Sequence, residues 1–161
     1  MPMKVRTKHR SQKAKASKAS HRTPLLTPSK LTAPRPTRVF PRQRLFDLLD
    51  RTREDHRVIW VSAPGGAGKT SLATSYLQAR KLPVLWYQVD AGDGDIASFF
   101  YYMGLAVQHA APRHKKPLPH LTPEYLADVP TFTRNFFREF YRRLPRHGVI
   151  VLDNYQDAPE D

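Results

Sequence analysis

Ala63-Pro64-Gly65-Gly66-Ala67-Gly68-Lys69-Thr70 is the stretch that decides how this chain reads. It fits the P-loop pattern, a glycine-rich turn closed by Lys-Thr, with alanine at the first glycine position. Phosphate oxygens must come close to backbone N–H groups, and side chains would obstruct them. Glycines also allow the positive φ angles of a concave anion nest. A helix opening at Lys69 would add its unpaired N–H donors and the positive end of its dipole. Lys69 is then expected to reach the β- and γ-phosphates of a nucleotide, and Thr70 to offer its hydroxyl to Mg²⁺. Ser71 is expected to contribute through its backbone N–H. Alanine at 63 costs some backbone freedom at the turn.

Outward from the loop, the pattern supports this reading. Arg57-Val58-Ile59-Trp60-Val61-Ser62-Ala63 reads as a buried strand before it, and residues 69–80 read as a helix after it. Leu45, Leu48 and Leu49 recur at helical spacing over 42–54. A second strand is predicted at Val84-Leu85-Trp86-Tyr87-Gln88-Val89-Asp90. Asp95 is placed to cap a helix running to about residue 111. Residues 112–123, rich in proline, read as a loop. Phe132, Phe136, Phe140 and Leu144 form one stripe of an amphipathic helix over 131–144. Val149-Ile150-Val151-Leu152-Asp153 is an apolar strand ending in a carboxylate. Strands that alternate with helices and read as continuous apolar runs predict an α/β fold, a parallel sheet with helices on both faces.

Asp153 is the second chemical element. An acid at the carboxyl end of a buried strand would lie beside the P-loop mouth and hold Mg²⁺ through a water. Asp90, Asp93 and Asp95 form a third acidic cluster, which reads either as a metal or water contact or, in preference, as loop and helix capping. Trp86, Tyr87, Phe99, Phe100, Tyr101 and Tyr102 read mostly as core. His109, His114 and His120 lack metal-ligand spacing.

Charge divides the 161-residue chain. The formal net charge is +13, and residues 1–46 carry 13 Lys or Arg with no acid. The remainder balances at 14 basic and 14 acidic residues. Two domains of behaviour follow: a basic leader over 1–38, read as disordered, and a folded part over 39–161. Pro24, Pro28, Pro34 and Pro36 break any helix in the second half of the leader. The absence of cysteine excludes a disulfide framework, a cysteine zinc site and a thiol nucleophile, and fits a reducing, cytoplasmic setting. No run of about 18 apolar residues predicts a membrane span.

Arg35-Pro36-Thr37-Arg38 and Pro41-Arg42-Gln43-Arg44-Leu45 precede the P-loop strand; Trp86-Tyr87-Gln88-Val89-Asp90, Asp93-Gly94-Asp95 and Phe99-Phe100-Tyr101-Tyr102 follow it. Together they resemble the N-terminal ATPase region of the maltose-activator type of STAND proteins, large bacterial LuxR-type transcription activators. The resemblance runs from about Leu31 to Tyr155. It implies a P-loop NTPase three-layer sandwich and an ATP-operated switch that self-associates. Lys69 and Thr70 match its P-loop roles, and Asp153 its metal-binding aspartate, so ATP and Mg²⁺ are the expected cofactors. It also implies a further strand between the P-loop strand and the Asp153 strand. The chain ends eight residues after Asp153, so the resemblance implies an incomplete sheet with an exposed edge and a truncated frame or fragment.

Three functions are weighed. The first is a regulatory ATP-binding module with slow or absent hydrolysis, because Asn154 stands where many relatives carry a second acid and an amide is a poor general base. The second is a small-molecule or nucleotide kinase, which would need an acceptor site and an arginine-bearing lid. The third is sequence-independent nucleic-acid binding through the basic leader. The leader's composition also resembles a transit peptide, against which its prolines argue.

Overall fold

The computed structural model describes residues 28–35, 39–114 and 116–158. Four helices and two strands organise it: α1 (Gln43–Asp55), α2 (Lys69–Ala79), β1 (Val84–Gln88), α3 (Ile96–Ala110), α4 (Val129–Arg143) and β2 (Val149–Asp153). No helix among the described residues is long and apolar enough to cross a membrane.

The strands pair in parallel, from Val84 opposite Val149 to Gln88 opposite Asp153. Their alternation distributes the core. Leu85 and Tyr87 enter one cluster with Phe100, Met103 and Val107 of α3 and Phe132, Phe136 and Phe140 of α4. Trp86 enters a second cluster with Phe46 of α1 and Leu72, Tyr76 and Leu77 of α2. Successive strand side chains point to opposite faces, so one short ladder receives helices on both. The α/β class with a parallel sheet is therefore observed, with two strands among the described residues.

The helix boundaries follow from local chemistry. Asp95 caps α3 by accepting from the Ser98 N–H at 3.0 Å. α4 begins two residues before the sequence reading because Asp128 accepts from the Thr131 N–H at 3.1 Å, and Pro130 in the first turn gives up no intrahelical bond.

The first strand of the sequence reading is corrected. Residues 57–63 carry no regular secondary structure. Val58 is 78% exposed and Trp60 69%. A strand exists only as half of a ladder. β2 is paired with β1, and no described segment pairs with 57–63. An apolar run records a capacity for burial, and only a neighbour realises it.

The leader needs a second correction. Residues 1–27 and 36–38 lie outside the described residues, but 28–35 are packed rather than loose. Ser29–Leu31 forms a 3-10 turn with Leu31 buried in the first cluster. Lys30 sits between Asp90 and Asp93, with 2.9 Å to a carboxylate oxygen of each. Its ammonium also lies over the rings of Tyr87 and Tyr102, 5.0 and 4.9 Å from their centroids. Tyr87 donates its hydroxyl to Asp93. The folded part thus starts about ten residues earlier than charge and proline content indicated.

Burial pushes the Asp93 carboxyl up, but hydrogen bonds from Lys30, Tyr87 and the Asp90 N–H outweigh it and hold the group below its ordinary 3.8. Burial likewise works against the Lys30 ammonium, and its bonds to Asp93 and Asp90 hold it above 10.5. Asp93's contribution to stability is therefore present above pH 3.8 and lost as pH falls through its lower folded value. Lys30's is present below pH 10.5 and lost as pH rises through its higher one. Lys30→Met is expected to cost roughly 1–3 kcal/mol, since Asp93 stays buried with one strong partner removed. Urea midpoints across pH should show the variant flatter than the parent at both extremes; equal profiles would refute the clasp.

Candidate phosphate-binding site

The loop before α2 is shaped by its glycines. Gly66 has φ +76° and Gly68 φ +80°, conformations an L side chain adopts only with strain. The Ala67 N–H bonds the Pro64 carbonyl at 3.2 Å and closes the turn. A Cβ at Gly65 or Gly66 would meet nothing within 4 Å, so the loop faces open space. Gly68 is the N-cap of α2, and no side chain caps the helix there. The N–H groups of the first turn, those of Lys69, Thr70 and Ser71, have no intrahelical acceptor. Donors without acceptors, at the positive end of a helix, form a place for an anion.

Lys69 folds back over its own loop, donating to the Ala63 carbonyl at 2.9 Å and the Pro64 carbonyl at 3.4 Å. Thr70 donates its hydroxyl to Asp153, at 2.9 and 3.2 Å from the two carboxylate oxygens. These residues are 83 positions apart. The first turn of α2 and the end of β2 hold them together, so the glycine-rich loop and Asp153, the second chemical element of the sequence reading, share one place. A hydroxyl and a carboxylate side by side are hard oxygen donors. Mg²⁺ takes such ligands, usually one or two from protein with the rest from water and phosphate. The pair therefore fits that ion chemically.

Asn154 follows in the left-handed region, φ 58° and ψ 35°, and turns the chain into a 3-10 turn at Tyr155–Asp157. Tyr155 meets Trp60 edge to face, 5.3 Å between centroids. The third acidic cluster does not join the site. Asp90 and Asp93 form a capping box and hold Lys30, and Asp95 caps α3, which is the capping reading. No group of three or more His, Cys, Asp or Glu that could hold a metal occurs among the described residues. Of the aromatics read as core, Trp86, Tyr87 and Phe100 are buried, whereas Tyr101 is 47% exposed.

Arg42 was missed. It sits at the N-terminus of α1 and donates to the Ala67 carbonyl at 3.2 Å from 25 residues upstream. No spacing rule connects the two; the one signal in the sequence is an arginine where a helix start favours Ser, Thr, Asp or Asn.

A glycine-rich loop beside a strand-end aspartate does not by itself single out one family of proteins. The chain is similar to bacterial transcription regulators. It is 34% identical over 137 residues to the HTH-type transcriptional regulator MalT of Cronobacter sakazakii, covering 81% of this chain and 14% of that protein. It is 33% identical over 91 residues to the MalT regulators of two Klebsiella pneumoniae strains, covering 56% of this chain and 10% of each of theirs. The chain thus spans about a seventh or less of the length of these relatives. No family model matches it, and no solved structure does.

Proposed function

We propose that this chain is the ATP·Mg²⁺-binding module of a signal-responsive transcription activator, acting in the cytoplasm and hydrolysing ATP slowly or not at all. The observation that carries the reading is the Thr70–Asp153 bond. It unites two motifs far apart in sequence that would each be commonplace alone. Ala63 to Gly68 would wrap the phosphates, with the first-turn N–H groups through Ser71 completing the cradle. Lys69 would leave its loop carbonyls for the β- and γ-phosphates, and Thr70 and Asp153 would hold the metal. Mg²⁺ would neutralise the phosphate charge there. Slow turnover follows from Asn154, an amide beside the metal-binding acid, which takes up no proton at neutral pH. The similarity to HTH-type transcriptional regulators supports the regulatory role; self-association on ATP binding is the output we propose for it.

The test is a titration of the folded chain with a fluorescent ATP analogue and Mg²⁺, with ATP and GTP as competitors. Saturable binding displaced by ATP and resistant to GTP is expected. A folded chain that takes up no nucleotide would overturn the reading, and phosphate transfer to a small acceptor would favour a kinase. Asp153→Asn should lower affinity about tenfold with Mg²⁺ present and leave affinity in a chelator unchanged. Equal loss in both conditions would remove Asp153 from the metal's coordination.

A further inference from the structure

The geometry points to Arg42 as a second cation of the phosphate site, one that binds the phosphate chain of a nucleoside polyphosphate alongside Lys69. The inference rests on the nucleotide reading above and adds to it a residue outside both motifs.

Arg42 has no local reason for its place. It is the N-cap of α1, yet its side chain makes no capping bond, and the first turn of α1 contains no acid. A cation at a helix N-terminus stands at the unfavourable end of the dipole. Its backbone is nonetheless held firmly. The Leu45 and Phe46 N–H groups bond its carbonyl at 2.8 and 3.0 Å. Phe46, 2% exposed, anchors α1 against Tyr76 of α2, with ring centroids 5.5 Å apart. This rigid mount directs the guanidinium onto the P-loop.

There it lies against the residue that opens the anion nest. One nitrogen donates to the Ala67 carbonyl, and the other terminal nitrogen is 3.1 Å from where a Cβ at Gly68 would stand. No carboxylate forms an ion pair with Arg42 or Lys69 among the described residues. Two cations, neither of them ion-paired among the described residues, therefore converge on one open loop at a helix start that no side chain caps. A guanidinium presents a planar fork of donors suited to phosphate oxygens. The exposed bond to Ala67 is a weak holding contact, and a multiply charged phosphate chain would displace it.

The competing role is a brace that merely keeps the loop closed. Arg42→Gln separates the two, because glutamine keeps an N–H donor for the Ala67 carbonyl and loses the charge. Wild type, Arg42→Gln, Arg42→Ala and Arg42→Lys would be titrated with the fluorescent ATP analogue and with inorganic tripolyphosphate as competitor. The melting temperature of each would be taken without ligand. The expected result is a loss of roughly tenfold or more for both ligands in Arg42→Gln and Arg42→Ala, partial retention in Arg42→Lys, and melting temperatures within about two degrees of wild type. Arg42→Gln binding within twofold of wild type, with Lys69→Ala impaired, would overturn this inference and leave the nucleotide reading standing. Affinity that falls only where the melting temperature falls would also overturn it in favour of the brace. A folded wild type that binds neither ligand would overturn both.

Discussion

Lys69→Ala is expected to lower the affinity for ATP·Mg²⁺ by about a hundredfold or more while leaving the unliganded fold nearly unchanged. The asymmetry comes from what the ammonium touches. Without ligand its partners are two carbonyls of its own exposed loop, which water satisfies once the side chain is gone. With nucleotide bound it would face a triphosphate, and charge-assisted bonds of that kind are worth roughly 1.5–3 kcal/mol each. About 2.7 kcal/mol is a hundredfold in affinity. Lys69→Arg is not a conservative control, because the planar fork is larger than the ammonium and presents its donors in a different geometry. The measurement is the fluorescent-analogue titration with a thermal scan of both proteins. Affinity within threefold of wild type would mean that the loop does not use its lysine.

Phe136→Ala should be the most damaging substitution for the fold, costing about 3–5 kcal/mol. Phe136 is fully buried. Its ring lies 4.8 Å from Phe100 and within 5.5 to 6.1 Å of Phe137, Phe132 and Phe140. Truncation opens a cavity between α3 and α4 that rigid aromatic neighbours close poorly. Total stabilities of 5–15 kcal/mol are usual, so the loss would remove a large share and lower the urea midpoint sharply. Asn135→Ala, exposed on the same helix, should stay within about 0.5 kcal/mol. Similar midpoints for the two variants would show that the aromatic cluster does not carry the domain. Because β1 meets this cluster through Leu85 and Tyr87 and holds β2 in register, nucleotide binding should fall with the fold.

Local physics explains which features were legible. The capping of α3 by Asp95, the aromatic stripe of α4 and the positive φ of Gly66 and Gly68 each depend on residues within one helical turn or one loop, where spacing is information. The aspartate at the end of β2 was legible as a candidate for the same reason. What failed was the strand at 57–63, read from its apolar residues, and the boundary of the leader, read from charge and proline. Val58 and Trp60 look like core in a list of residues and stand in solvent because no described strand lies beside them. Leu31 and Lys30 look like part of a charged tail and are held by partners some sixty residues away, as the Lys30–Asp93 separation of 63 shows.

By itself, then, the sequence determined the alternation of helices with short apolar strands, the cap of α3 and the glycine loop with its lysine, since all of these arise from contacts between near neighbours in the chain. Only the tertiary structure decided that Thr70 and Asp153 share a hydrogen bond, that Lys30 clasps two aspartates, that Arg42 rests on the glycine loop and that 57–63 has no strand partner among the described residues. Each of these is a meeting of groups brought together by the packing of separate elements, and composition and spacing carry no record of which distant side chain fills a given place.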